Sequence, residues 1–153
     1  RKFRWPGVFV RITMTMKLLV FLAESFDYRV SEAGSALAPE TPEPSEDRVE
    51  NAIVAFIQCE PRDEERGEAV LKQAVKYFRW FARKRGVTRL VLHSFAHLAE
   101  ERSSPEFARD LLAELGDRLE SLGFEVHHTP FGWSLKWTMA VEGHGYAKTF
   151  KSL

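Results

Sequence analysis

Two histidines four residues apart are the first candidates for chemistry in this sequence. His93 and His97 flank a Ser-Phe-Ala segment. On a helix this spacing would place both imidazoles on one face, where they could bind a metal ion. However, segment 88–96 is mostly apolar and has the pattern of a central strand. His93 then points to one face of a sheet and His97 lies beyond the strand, so no metal site is expected.

Other familiar catalytic patterns are missing from the sequence. It contains neither a G-x-S-x-G nucleophile elbow nor a G-x-x-x-x-G-K phosphate loop. Cys59, the single cysteine, follows an apolar strand and is expected to be a small core residue rather than a nucleophile. His127 and His128 form a doublet on a predicted strand, with one side chain facing in and one facing out. His144 lies in a predicted Gly-His-Gly turn.

Two segments have the features of a ligand pocket, namely 93–97 and 129–137. In the first Ala96 stands beside Phe95, and in the second Gly132 stands between two aromatic residues. A small residue at the open end of a strand leaves backbone N–H and C=O groups free to bind a ligand. Lys136 follows closely and is a candidate for contacting phosphate or ester oxygens.

Length and charge limit the classes of function. A chain of 153 residues is most simply one domain, and its 22 basic and 22 acidic residues cancel. Contact with nucleic acid therefore requires a local basic patch. The alternative for such a patch is an ordinary solvated helix face. The candidates, all on the first predicted helix, are Lys72, Lys76, Arg79, Arg83, Lys84 and Arg85.

Location is predicted from two further properties of the sequence. A single cysteine is typical of a reducing compartment, so a cytoplasmic protein is expected. No run of apolar residues reaches the roughly 20 that cross a bilayer, so no membrane contact is expected.

The pattern of apolar residues predicts one domain over 16–153, preceded by an extension of unknown role over 1–15. The fold class is α/β (α+β), with a mixed β-sheet and two main helices packed on one face. Helices are predicted over 67–86, ending at Gly86, and over 103–123, opening at Ser103 or Ser104. Strands are predicted over 17–25, 26–30 as the second arm of a hairpin, 51–60, 88–96, 124–129 and 134–142. A loop is predicted over 31–47 and a C-terminal β-hairpin around the turn at 143–145.

Several sequence motifs occur in an order that resembles a known family. They are LLVFLAES, PEPSEDRVENAIVAFIQCE, FAHLAEE, the pattern P-x-x-A-x-x-L-L from Pro105 to Leu112, and PFGW followed by a lysine and then GH. Together they resemble the N-terminal editing domain of archaeal threonyl-tRNA synthetase. The resemblance extends over 16–153, and FAHL combined with PFGW is its most specific part.

The resemblance implies a D-aminoacyl-tRNA deacylase-like fold, usually as a homodimer. It implies hydrolysis of seryl-tRNA(Thr) with help from the 2′-OH of the terminal ribose and without a cofactor. The implied partners are the 3′ end of tRNA(Thr) carrying serine and the catalytic part of threonyl-tRNA synthetase, in cis or in trans. Two alternatives remain open: a D-aminoacyl-tRNA deacylase, and an inactive module for tRNA binding or dimerisation.

The resemblance also implies roles for individual residues. His97 and Lys136 fall on catalytic positions. The implied substrate-binding residues are Cys59, Phe95, Ala96, Phe131, Gly132, Trp133 and Ser134. Lys136 stands one residue later than the family pattern has it, so it reaches the pocket only if a bulge intervenes. Two further departures are Lys148, where the family often has a carboxylate, and Leu22-Ala23-Glu24, where it has His-Ser-Asp.

Overall fold

The computed structural model describes residues 2–5, 8–11 and 15–153. The elements within these residues are β1 (Lys2–Trp5), β2 (Val8–Arg11), β3 (Lys17–Ala33), β4 (Glu46–Gln58), α1 (Gly67–Arg85), β5 (Arg89–Ser94), α2 (Pro105–Ser121), β6 (Glu125–His128), β7 (Trp133–Val141) and β8 (Lys148–Ser152). Short 3₁₀ turns occur at Pro61–Glu64 and Gly145–Ala147. No helix of the described residues is long and apolar enough to cross a membrane.

The main sheet is mixed, as the sequence predicts. Its order is β6-β5-β4-β3-β7, and β8 also pairs with β3. β5 runs parallel to both β4 and β6, whereas β3 is antiparallel to β4, β7 and β8. β1 and β2 form a separate antiparallel pair within the segment predicted as an extension.

The first predicted hairpin is wrong. Segments 17–25 and 26–30 are not two arms but one continuous strand, β3, and its hairpin partner is β4. The pairing runs from Lys17 opposite Gln58 to Arg29 opposite Glu46. A register shift against β7 near Ser25 distorts the strand without reversing it. Pairing along the whole strand satisfies the backbone of its polar end, so the connecting loop shortens from the predicted 31–47 to 34–45.

The predicted C-terminal hairpin is also wrong. β7 and β8 do not pair with each other but lie end to end along the same edge of β3. β7 pairs with the stretch from Ala23 to Ala33, and β8 pairs with Lys17 to Phe21. This arrangement arises because β3 has 17 residues and therefore offers an edge long enough for two short strands.

Both predicted helices form, and local sequence signals mark the end of α1 and the start of α2. Gly86 has a φ of 68°, the left-handed conformation that closes many helices. The Ser104 hydroxyl accepts a hydrogen bond from the Phe107 N–H at 3.3 Å, with Pro105 in the first turn.

The helices cover one face of the sheet and bury its main core. This core joins the inward residues of α1 and α2 to alternate residues of β3, β4 and β5, including Leu18, Ile57 and Leu92. A second cluster on the opposite face is centred on Phe26 and Phe56. The buried strands β4 and β5 therefore end between two packed layers, and their carboxyl ends border the site described next.

Candidate active site

A cavity of about 540 Å³ opens where β4 and β5 end. Loop 34–45, the start of β7 and the first turn of α2 complete its wall. It brings together all the site residues predicted from the sequence except Lys136. Those that line it are Cys59, Phe95, Ala96, His97, Phe131, Gly132, Trp133 and Ser134.

Lys136 lies outside this cavity. It pairs with Arg29 across the β3–β7 ladder and lines a separate, shallower depression that also contains Asp27 and Asp47. The irregularity near this position is in β3, between Val30 and Glu32, and not in β7. β7 therefore keeps its alternation, and the bulge that would turn Lys136 into the cavity is not present in the described residues.

His93 forms a buried part of the cavity wall. Its Nδ1 lies 2.7 Å from the Thr129 hydroxyl, and its ring meets Phe56 edge to face at 5.1 Å between centroids. Burial lowers the pKa of His93 to about 4, because the charged imidazolium loses its hydration. His93 is therefore neutral at pH 7 and is held by its partners.

His97 lies at the rim of the cavity, beyond the end of β5. Its side chain is exposed and packs edge to face on Phe95, with 5.2 Å between ring centroids. The Phe95 N–H donates a hydrogen bond to the Ile57 carbonyl at 2.9 Å. Within residues 15–153, the N–H groups of Ala96 and His97 donate to no protein acceptor. Two backbone donors are thus available beside the imidazole.

Gln58, which no motif in the sequence identified, positions this rim. Its side chain is buried and bonds to the backbone of the loop after β5. Oε1 accepts from the N–H groups of Leu98 and Ala99, and Nε2 donates to the carbonyls of Ala99 and Glu101. The signal for Gln58 was a lone polar residue at the end of the apolar run of β4.

Cys59 is a wall residue with a protonated thiol. Burial, reinforced by the nearby carboxylates Asp63 and Glu60, raises the pKa of the thiol far above its usual value. Since the thiolate is the nucleophilic form, the thiol is inert at neutral pH. The Cys59 carbonyl accepts from the Ser103 N–H at 2.9 Å and thereby ties the end of β4 to the start of α2.

Loop 34–45 contributes to the wall of the cavity, although its sequence predicts only an exposed loop. The Gly34 N–H donates to the Gly132 carbonyl at 2.7 Å, and the Trp133 indole donates to the Pro39 carbonyl at 2.9 Å. Gly132 has a φ of 79°, and a Cβ there would lie 3.0 Å from the Ser35 Cβ. Only glycine fits this contact without strain.

The remaining histidines do not line the cavity. His127 lies 2.8 Å from a Glu125 carboxylate oxygen on one face, while His128 lies against Gly116 of α2 on the other face and is exposed. His144 is exposed and precedes the 3₁₀ turn. Within the part of the chain that the structure describes, no three histidine, cysteine or carboxylate side chains are grouped closely enough to hold a metal ion.

The cavity therefore offers binding groups rather than a nucleophile and its base. Its chemistry comprises the free N–H groups at Ala96 and His97, the guanidinium of Arg102, several serine hydroxyls and aromatic walls. Such a site can hold a small polar ligand.

The chain is similar to proteins of one family over most of its length. Residues 16–153 match the family described as the archaea-specific editing domain of threonyl-tRNA synthetase. A threonine–tRNA ligase of Methanopyrus kandleri is 32% identical over 84% of this chain and 20% of that protein. The corresponding ligase of Nitrosopumilus maritimus is 31% identical over 89% of this chain and 21% of that protein. The chain thus spans about a fifth of the length of these relatives.

A solved structure supports the predicted fold class. The structure is described as c-Myc DNA Unwinding Element Binding Protein, and it superposes with a TM-score of 0.63 over 90% of this chain and 98% of its own. At 10% identity the likeness concerns the fold alone. The mixed sheet with two helices is the D-aminoacyl-tRNA deacylase-like architecture expected from the sequence.

Proposed function

The chain belongs to the archaea-specific editing-domain family of threonyl-tRNA synthetase, and from this premise we propose that it hydrolyses mischarged seryl-tRNA(Thr). Water attacks the carbonyl carbon of the ester between serine and the terminal adenosine. The bond from that carbon to the ribose oxygen breaks, the ribose oxygen takes a proton, and serine and tRNA(Thr) leave.

The observation that carries the proposal is the convergence of the implied substrate-binding residues on one cavity. They come from three separate parts of the chain, at the ends of β4 and β5 and at the start of β7. Similarity of sequence to the family does not by itself bring these residues together around a cavity. A volume of about 540 Å³ falls in the range of small-molecule sites and has room for an aminoacylated adenosine.

The side chains in the cavity favour a reaction assisted by the substrate. Cys59 is protonated and His93 is neutral and hydrogen-bonded, so neither is set up as an activated nucleophile. The ribose 2′-OH supplies the polar group next to the ester and helps to position or activate the water. The free N–H groups of Ala96 and His97 bind the developing negative charge, and the His97 imidazole orients the substrate or the water.

Selection against threonine follows from size. The aminoacylation site of a synthetase, shaped for threonine, also admits serine. The missing methyl group of serine lets that site discriminate between the two amino acids by only about 1–3 kcal/mol. A second site reverses the order if its wall leaves no space for that methyl group. The packed wall residues Ile57, Cys59 and His93 supply such a boundary.

The proposal includes the partners implied by the family. The chain acts on the 3′ end of tRNA(Thr) as a homodimer in the cytoplasm, without a cofactor. The catalytic part of threonyl-tRNA synthetase, in cis or in trans, supplies the mischarged tRNA.

A single-turnover deacylation assay tests the function directly. Seryl-tRNA(Thr), threonyl-tRNA(Thr) and a D-aminoacyl-tRNA are compared side by side with the same protein preparation. Rapid loss of serine with threonine retained is the expected result. Loss of only the D-amino acid would instead identify a chirality-proofreading deacylase. No hydrolysis of any of the three would leave a tRNA-binding or dimerisation module, and the displaced Lys136 would be its first explanation.

A further inference from the structure

α1 carries a concentrated positive charge along most of its length. Between Ala69 and Arg85 the helix has six lysines and arginines and no acidic residue, although the whole chain has a net charge of zero. Arg79, Arg83 and Lys84 are exposed, and none forms a salt bridge within residues 15–153. This positive charge is therefore not neutralised by the protein itself.

An exposed aromatic ring lies among these cations. Trp80 is 52% exposed, and on the helix surface its neighbours three and four residues away include Lys76, Arg83 and Lys84. The ring of Trp80 is supported from below by Tyr77, with 6.1 Å between centroids. A large exposed indole surrounded by cations is unusual for a face that only meets water.

Tyr146, in the turn before β8, is a second exposed ring and lies at the carboxyl end of α1. Its ring is 67% exposed, and the Arg85 guanidinium lies 4.5 Å from its centroid. The same guanidinium lies 5.8 Å from the centroid of Phe81, so Arg85 is held between two rings. Its Nε is buried and has no hydrogen-bond partner within the described residues. Arg85 thus fixes the ring of Tyr146 while leaving most of it open.

We propose that Arg79, Trp80, Arg83 and Lys84 form a docking surface for RNA, here called the α1 surface. Arginine and lysine contact phosphates, and exposed rings stack on unpaired bases or pack against riboses. The identity of the RNA as the tRNA whose 3′ end enters the cavity rests on the proposed function. The RNA-binding surface itself rests on the charges and rings of α1.

The position of the α1 surface suits a second contact on the same RNA. The basic end of α1 leads into the start of β5, whereas the cavity opens at the end of β5. The length of a six-residue strand separates them, about 20 Å. The α1 surface therefore remains available when a 3′ terminus fills the cavity.

Charge distinguishes RNA from a second copy of this chain. A two-fold contact through the α1 surface would place its cations against the same cations of the partner, which is repulsive. Phosphates are complementary to them. The apolar face of α1 is already committed to the core through Leu71, Phe78 and Phe81, so it is not free to enter a lipid surface.

The test measures binding of uncharged tRNA(Thr) transcript by fluorescence anisotropy over a range of salt concentrations. The triple variant Arg79→Gln, Arg83→Gln, Lys84→Gln is expected to bind at least about tenfold more weakly than the wild type. The plot of log K against log salt should become shallower, with the magnitude of its negative slope smaller by about 2–3. Each lost phosphate contact removes about 0.7–0.9 from that magnitude. A matched control replaces three exposed arginines outside α1: Arg29→Gln, Arg62→Gln and Arg109→Gln. Its slope should differ from that of the wild type by no more than about one.

Trp80 variants test stacking separately from charge. Trp80→Ala should weaken binding about tenfold with the salt slope unchanged, whereas Trp80→Phe should restore most of the affinity. Equal affinity and equal slope for the wild type and the triple variant would overturn the proposal. It would also be overturned if the triple variant lost binding to anionic vesicles or lost self-association in sedimentation instead of RNA binding.

A minimal substrate separates this proposal from the proposed function. Serine esterified to adenosine reaches the cavity without touching α1, so the triple variant should hydrolyse it at the wild-type rate. If neither protein hydrolyses any ester, the deacylase function fails while the transcript measurement still decides the α1 surface. If both hydrolyse every substrate equally and bind the transcript equally, the α1 surface fails while the deacylase function stands.

Discussion

The side-chain amide of Gln58 pairs with the backbone of Ala99 in both directions. Its Oε1 accepts from the Ala99 N–H at 2.9 Å, and its Nε2 donates to the Ala99 carbonyl at 3.2 Å. A buried residue at the end of β4 thereby holds the loop that carries Ala96 and His97. This contact joins the rim of the cavity to the end of β4.

Gln58→Glu is expected to loosen this loop. The change keeps the shape but replaces the Nε2 donor by a carboxylate oxygen facing two carbonyls, so unfolding should become easier by about 2–4 kcal/mol. Urea denaturation measures the loss, and hydrogen exchange at Ala99 should accelerate. Gln73→Glu, on the exposed face of α1, is the control and should have a small effect. Unchanged exchange at Ala99 in Gln58→Glu would show that the loop is held by other contacts.

Gly132→Ala is expected to destabilise the wall formed by loop 34–45. The substitution forces a side chain into a positive φ and places its Cβ 3.0 Å from that of Ser35, so we expect a loss of about 1–3 kcal/mol. Denaturation followed by tryptophan fluorescence measures it, with Trp133 as a local reporter. Gly143→Ala, whose Cβ would meet nothing within 4 Å, is the matched control. Equal stability of the two variants would contradict this role for Gly132.

The buried His93 is expected to make stability depend on pH. Its pKa is about 4 in the folded state, against 6.5 for a histidine in water, so the unfolded chain binds the proton more tightly. Stability should therefore be unaffected by His93 above about pH 7 and should fall as the pH decreases from about 6.5 to 4, by up to about 3 kcal/mol. Urea denaturation of the wild type and of His93→Gln over this range measures the difference. Parallel pH profiles for the two proteins would mean that His93 remains able to charge when folded.

His97 and Lys136 are expected to differ in their effect on deacylation. His97 lies at the cavity rim beside two free N–H groups, so His97→Ala should slow the single-turnover loss of serine by about 10- to 100-fold while the fold remains intact. Lys136 lines another depression, so Lys136→Ala should stay within about twofold of the wild-type rate. Circular dichroism controls for folding. Full activity of His97→Ala would remove this residue from the mechanism, and a large loss in Lys136→Ala would require a different backbone course in β7.

Local patterns in the sequence were enough to predict α1, α2 and β5. The helices depend on contacts between residues a few positions apart, such as the apolar stripe of α1 and the Ser104 hydroxyl at the start of α2. β5 was indicated by its short apolar run. The family motifs likewise predicted which segments surround the cavity. Every site residue that the resemblance implied, except Lys136, lines the cavity.

The pairing of strands was decided only by the tertiary structure. β3 extends through Ala33 because β4 pairs with it as far as Arg29 and β7 pairs with it as far as Ala33, and those partners lie far away in the sequence. For the same reason β8 pairs with β3 instead of with β7. A turn signal such as Gly143-His144-Gly145 indicates a change of direction but carries no information about which edge the next strand will meet.

The side of the sheet on which Lys136 lies was also beyond the sequence. Its face depends on whether an irregularity falls in β7 or in its partner, and the structure places it in β3 between Val30 and Glu32. Gln58 and Gly34 gain their roles in the same way, from segments that meet them only in the folded chain. The sequence by itself therefore determined the helices, the family and the segments that line the cavity. Long-range hydrogen bonding decided the strand partners, the wall of the cavity and the face of the sheet on which each side chain lies. Those bonds join residues far apart in the sequence, so no local pattern predicts them.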